Sequence, residues 1–572
     1  MRRKYDMYFS VVSIKNLSAK LLSACLLVSL NASAQDIENI AKQKPFEVHG
    51  AVSVSGGYYK GVGFPNTRRP YTYSVIAAPT VSIYGVQIPF NFTFTEGSRS
   101  LKNPFAQFGI NPYWKWVKGY FCWTNMHWTP TTLGGKTFLG AGVEINPSLF
   151  RFGAFWGRLN PAVRENLLGT EPIQPQYKRF GWGFRIGVGN EKNHFDIIWL
   201  HAKDRANSIP APLDTLNQLN YTPAENAIVG IKSHQTFAKG KLTWDLDGAV
   251  SGYTRNTNSQ LLDIGDGLGT KFLKVAFPPR LSSSFAWSAH NNFTYRSEKL
   301  TLGFDYNRIE PEYQSMGVDY ILNDQQKFML NQQFYAGKKK WTFSFNEFYQ
   351  HDNLNKRKAL RTHRTGLSGN ANWQMNQNFG ATFSYNGFYM FQTKGLKAVN
   401  DSTKIAQLQN SFLVSPRYMI FNTKMVHVIF TAVTYTRLDD LNQFTAKYSR
   451  NNTVNWNMGY TLSLIQSAFG FAPNLNIMFS KTPSFDVLNI TPNATFSKSF
   501  WKGKINTSLM LGYTASRQNK LWNSKTINNT IGIGYNITSK HALKLNNSVM
   551  YTWLPVTTTQ EYKGDLTYTL TF

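Results

Sequence analysis

After residue 45 the chain has no unbroken apolar run of the ~20 residues that a membrane-crossing helix needs. Charge is scarce as well, at 16% of 572 residues. The first absence excludes a helical membrane protein. The second sits oddly with a mean hydropathy of −0.34, because a soluble chain that polar normally carries more charge. Cysteine is nearly missing. Cys25 falls in the leader described below, which leaves Cys122 alone, so no intramolecular disulfide and no cysteine-based metal site can form. Cys122, beside Trp123, reads as a small apolar filler.

Catalytic signatures are also lacking. The ten histidines are scattered, with no HExxH or other ligand spacing, and no Gly-x-Ser-x-Gly elbow marks a nucleophile. Gly134-Gly135 with Gly140-Ala141-Gly142 resembles a phosphate loop only in glycine content. It lacks the Gly-Lys-Ser/Thr ending and a following helix, so crowded strand backbone explains it better. The expectation is therefore no enzyme, no cofactor and no metal. A hydrolase assembled on a barrel wall from separate strands is the third-ranked reading, since sequence spacing would not reveal it.

What the chain does have is aromatic residues, 15% in all, with 29 Tyr, 42 Phe and 15 Trp. They fall on a strict alternation. Leu300, Leu302, Phe304 and Tyr306 alternate with Thr301, Asp305 and Asn307; Ile505, Thr507, Leu509, Leu511 and Tyr513 form a similar stripe. Helical spacing would place Asp245 or Asp305 on the apolar face, so strands win. They are longer than the 5–6 residues usual in globular sheets.

The pattern predicts an all-β fold, a transmembrane antiparallel β-barrel of about 26 strands within a range of about 22–30. A soluble sandwich shares the stripe but not the connections. Short turns near Gly85, Lys118, Pro147, Glu191, Gly240, Glu298, Lys338, Asn378, Lys424, Ser467, Lys502 and Ser539 alternate with longer polar loops such as 160–177, 204–223 and 255–281. Short periplasmic turns and longer extracellular loops are the barrel pattern. An even strand count puts both termini in the periplasm.

The ends agree with export. Arg2, Arg3, Lys4, Lys15 and Lys20 precede the apolar stretch 21–30, and Ala32-Ser33-Ala34 precedes Gln35 as a small-x-small cleavage site. A lipobox-like Leu22-Ser23-Ala24-Cys25 is the weaker alternative, because Lys20 interrupts the apolar run it would need. The organisation expected is a signal peptide at 1–34, a short periplasmic segment at 35–45 and a barrel at 46–572. The last strand carries Leu566, Tyr568, Leu570 and Phe572 on one face. It resembles the terminal signal of outer-membrane barrels, and the resemblance implies that Tyr568, Leu570 and Phe572 are read by the barrel-assembly machinery.

Net charge is +30, and the excess lies in the short turns, for example at Lys338, Lys339 and Lys340. Basic turns suit anionic inner-leaflet head groups. Nucleic acid as a partner is set aside, since an exported barrel has little access to it. Alternation points Arg151, Arg185, Lys232, Arg296 and Lys544 into the lumen, together with Asp245, Asp247 and Asp305. A basic lumen would favour anions; the plainer alternative is that these side chains pair across strands.

The aromatic strands, basic balance, cleavage site and closing Phe are similar to outer-membrane proteins of the Bacteroidota. The segment 134–159 (GGKTFLGAGVEINPSLFRFGAFWGRL) resembles uncharacterised large barrels of that group. The resemblance is one of style and carries over no site residues. It implies a porin-like protein of the bacterial outer membrane, with membrane lipids and the assembly machinery as partners. Three functions compete: a solute pore or transporter, a non-conducting scaffold in an envelope assembly such as secretion or surface-protein export, and the barrel-wall hydrolase. A TonB-dependent receptor would need a large domain ahead of the first strand, and a lipopolysaccharide-inserting barrel a periplasmic jellyroll; only 35–45 is available. A lumen of this size is too wide to leave open. Either loops at 159–178, 204–224 and 255–282 fold inward, or a periplasmic or lumen-filling protein partner occupies it.

Overall fold

The computed structural model describes residues 44–64, 68–95, 107–165, 174–210, 221–263, 265, 267, 271, 274–396 and 401–572. The leader, the cleavage site and most of 35–45 lie outside them.

Strands follow the alternation closely. They begin with β1 (Phe46–Val62), β2 (Tyr71–Ile83) and β3 (Val86–Thr95). One interrupted strand follows in two pieces, β4 (Gln107–Ile110) and β5 (Tyr113–Trp114), both lying between β3 and β6 (Val117–His127). Next come β7 (Gly134–Ile145), β8 (Phe150–Asn160), β9 (Arg179–Gly189), β10 (His194–Asp204), β11 (Glu225–Phe237), β12 (Leu242–Thr254), β13 (Ser283–Arg296), β14 (Leu300–Ile309) and β15 (Gln325–Ala336). The series runs on from β16 (Trp341–Asp352) to β27 (Thr558–Thr571).

Every strand pairs antiparallel with its neighbours in sequence, and β27 returns to β1 with Ala51 opposite Thr571 and Val62 opposite Gln560. Gly50 and Phe572 complete the seam by exchanging backbone hydrogen bonds at 2.8 and 3.0 Å. The result is a closed antiparallel barrel of 26 strands. Closure matters physically because it leaves no unpaired edge. Strands about 4.8 Å apart and tilted by about 40° make a cylinder about 50 Å across at this strand number.

The two faces differ as the alternation requires. Ile197, Val229, Trp456 and Ile531 point outward and stay exposed, and aromatic rings pair across neighbouring strands on that face. Trp341 stacks on Trp373 at 5.3 Å, and Trp244 on Phe293 at 5.7 Å. This outer surface is the apolar wall of a membrane-spanning barrel. The ladder skips positions beside Pro416, Pro473 and Pro492, where proline has no N–H to donate.

Candidate functional site: a lumen filled on one side

Two loop-end connections turn into the barrel. The first, 128–133, joins β6 to β7; the second, 310–324, joins β14 to β15. Trp128, Leu133 and Tyr313 are fully buried, and Met316 nearly so. They pack against inward residues of the wall, among them Phe138, Phe155, Ile198, Leu200 and Ile228. Burying aromatic and aliphatic side chains of this size contributes on the order of 1.5–3 kcal/mol each.

Glycines on the inner face make room for this packing. A Cβ on Gly142 would sit 2.5 Å from the Met126 sulfur, and one on Gly157 would sit 2.7 Å from the Phe138 ring. At Gly181 it would meet Leu159 at 2.7 Å, and at Gly230 the Thr132 methyl at 2.8 Å. The loops are also tied to each other. Tyr313 donates its hydroxyl to the Thr131 carbonyl at 2.8 Å, Ser315 donates to the Thr132 carbonyl at 2.6 Å, and Gly134 N–H donates to the Gly317 carbonyl at 3.0 Å. Fully buried Asn226 anchors them to the wall. Its amide donates to the Ser251 hydroxyl at 2.8 Å, and its oxygen accepts from Met316 N–H at 3.0 Å. Lys136 reaches Asp319 at 2.6 Å, and Lys232 donates to the Trp128 carbonyl at 2.9 Å.

Among the described residues, the connections that fold inward are 128–133 and 310–324. The 128–133 segment is too short to have drawn notice as a loop at all. In 255–282, Phe277 instead packs edge-on against outward Phe285, over the outer face of Gly252. The described ends of the 160–178, 205–224 and 255–282 connections are tied to one another, Arg205 N–H to the Lys178 carbonyl and Thr257 N–H to the Pro223 carbonyl. Residues 166–173 and 211–220, including the Asn220 position within the expected surface loop, lie outside the described residues.

The inward charges form cross-strand networks. Arg151 grips fully buried Asp196 with two hydrogen bonds, 2.8 and 3.1 Å. Arg185 lies 3.9 Å from Asp196 and 3.5 Å from Glu144, which also accepts from Tyr120 at 2.6 Å. His290 bridges Asp247 and Asp305 at 3.5 and 2.6 Å, while His234 holds Asp245 at 2.5 Å. Arg296 and Lys544 remain exposed. Asp196, Glu144, Lys136 and Asn226 were missed by sequence reasoning; the inward parity of Asp196 against Arg151 and Arg185 was the available signal. Among the described residues no cluster of three His, Cys, Asp or Glu side chains could hold a metal ion.

The rest of the wall is different. From β21 (Asn451–Leu464) onward the inner face is a carpet of Asn, Ser and Thr that bond sideways to each other. Asn455 pairs with Asn476, Asn457 with Asn474, and Ser53 with Thr569 across the seam. These side chains keep solvent-accessible surface. At the C-terminus, Tyr568 and Leu570 sit opposite outward Val54 and Val52 of β1, and the Tyr568 hydroxyl is 2.6 Å from His541.

No family model and no curated protein matches the chain. Among solved structures it is similar to OccAB2 of Acinetobacter baumannii, at 11% identity over 66% of this chain and 97% of that one, with a TM-score of 0.30. The P pilus usher PapC translocation pore overlaps 92% of this chain and 99% of its own, at 8% identity and a TM-score of 0.34. OprD of Pseudomonas aeruginosa overlaps 74% and 94%, at 9% identity and 0.30. Such scores are too low for any of them to speak to what this chain carries. The closed ladder alone makes it a barrel.

Proposed function

We propose that the mature chain, cleaved before Gln35, is an outer-membrane conduit for small polar solutes, its path running along the hollow side of the lumen. One observation carries the reading. The inward Asn, Ser and Thr carpet stays solvent-accessible, while the two infolded loops narrow the opposite side. A wall that satisfies its own amides sideways leaves a wetted path that holds no solute tightly, which passage requires.

Any anion preference in this scheme is weak and does not come from Arg151 or Arg185, since Asp196 and Glu144 neutralise them. It comes from exposed Lys544 with Arg364, Arg417 and Lys563, against Glu561 and Asp565. In planar bilayers the purified barrel should give a stable conductance with a small reversal potential favouring anions, and Lys544→Glu should move it toward cations. Replacing 310–324 by a short Gly-Ser linker should raise the conductance. Absence of conductance before and after that replacement would sink the conduit and favour the scaffold.

A further inference from the structure

A cavity of about 280 Å³ lies where the two infolded loops meet β12–β15. Pro130, Tyr320, Ile321 and Leu322 wall it from the loops; Asp247, His290 and Asn307 face it from the strands. Its volume is at the small end for ligand sites and suits one small ring.

The chemistry of the lining decides what that ring is. Asp247 presents its Oδ2, 3.5 Å from the His290 ring, while its unpartnered Oδ1 is closed to solvent. Asn307 offers an amide, both donor and acceptor, that bonds to no side chain among the described residues. Tyr320 stands at the rim with 77% of its surface exposed. Basic groups surround the carboxylates: His290 bridges them, Lys232 lies opposite Asp247 in register with its ammonium on the Trp128 carbonyl, and Lys327 stands diagonally across from Asp305 on the same inner face. A cation therefore finds no net negative site, and an anion finds two carboxylates in its way. What remains is a dense set of acceptors and donors beside an aromatic ring and apolar walls.

We infer that this cavity binds one ring of an uncharged polyhydroxylated solute, a sugar, at the edge of the permeation path. Hydroxyls donate to the Oδ2 edge of Asp247 and exchange bonds with Asn307, and the Tyr320 ring covers the C–H face of the sugar. The inference names the solute class for the conduit reading and rests on it only for the ligand's route.

The test uses the full chain folded in a detergent without a sugar head group, with binding read by saturation-transfer NMR, which needs no conduction. The probes are D-glucose, D-galactose and D-mannose, with glucosamine as the cationic and glucose phosphate as the anionic counterpart. At least one neutral hexose should bind in the millimolar range, with charged forms no tighter. Asn307→Ala and Tyr320→Ala should each weaken it by about tenfold while keeping heat-modifiable mobility. Lys544→Glu should leave binding unchanged even where it alters ion selectivity. No binding by any neutral hexose, tighter binding of a charged form, or wild-type affinity in both variants would overturn the sugar site. A non-conducting barrel that still binds hexose would overturn only the conduit.

Discussion

The inner faces of β7–β11 and of the strands beyond residue 451 obey the same alternation, yet one is covered and the other wet. On the filled side, inward positions mix glycine with large apolar residues, so Gly142 lies under Met126 and Gly157 under Phe138. Bumps and hollows interlock, and the loops that dock there bury Trp128 and Tyr313 completely. On the hollow side the inward residues are mostly Asn, Ser and Thr with scattered Gly and Met such as Gly534 and Met510, and many of their bonds run along the wall. Filling thus follows from large apolar inward side chains set against glycine, which only the filled side provides.

Charges draw the same contrast, and the largest expected effect lies there. Asp196→Ala would strand Arg151 in a buried setting and leave Arg185 to Glu144 alone, and should cost about 3–5 kcal/mol, read from urea unfolding in lipid vesicles. Asp565→Ala on the hollow side, where Lys563 lies 3.6 Å away and both are half-exposed, should cost no more than about 1 kcal/mol. Equal losses would erase the distinction. For the same reason Arg151→Glu should lower stability rather than redirect ion selectivity.

Glycine gives the next contrast. Gly157→Ala must push a Cβ against Phe138 and the Leu139 carbonyl at 2.9 Å, an overpacking expected to cost about 1–3 kcal/mol. At Gly534 the nearest atom would be 3.8 Å away, so Gly534→Ala should be close to neutral in the same unfolding assay.

The smallest effect concerns the loop latch. Burial pushes the Tyr313 hydroxyl up to about 12. The neutral form is the one the folded loop holds, so its contribution is intact below the ordinary tyrosine value of about 10 and is lost as pH rises from there through about 12. Protease cleavage within 310–324 should increase over that window. Tyr313→Phe, which forfeits the bond to Thr131, should cost about 1 kcal/mol and flatten this component of the pH response.

The barrel itself was legible because lipid on one side and water on the other impose a period of two on every strand, down to Tyr568 and Leu570 in the last. The same parity put Asp247 and Asp305 on one face, and both carboxylates reach His290. The identity of the infolded loops was not legible. Loop length pointed to 159–178, 204–224 and 255–282, whose central residues lie outside the described ones; length sets only reach, whereas docking needs a matching wall. That wall was written in Gly140 and Gly142, which read as crowded backbone, and in Gly153 and Gly157; neighbouring backbone does crowd Gly140, while the Met126 and Phe138 side chains crowd Gly142 and Gly157. Asn226 gave no signal, since Ser251 reaches it only through the β11–β12 register and Met316 only once the 310–324 connection folds inward.

One barrel has a sealed side and a wetted side, and cysteine labelling separates the two. In a background with Cys122 replaced by Ala, fully buried Thr132 and inward, exposed Asn528 are each changed to Cys, and the folded protein is treated with a charged, membrane-impermeant maleimide. The account predicts rapid labelling at Asn528→Cys and protection at Thr132→Cys until the barrel is unfolded. Comparable labelling at both positions in barrels of normal heat-modifiability would contradict it.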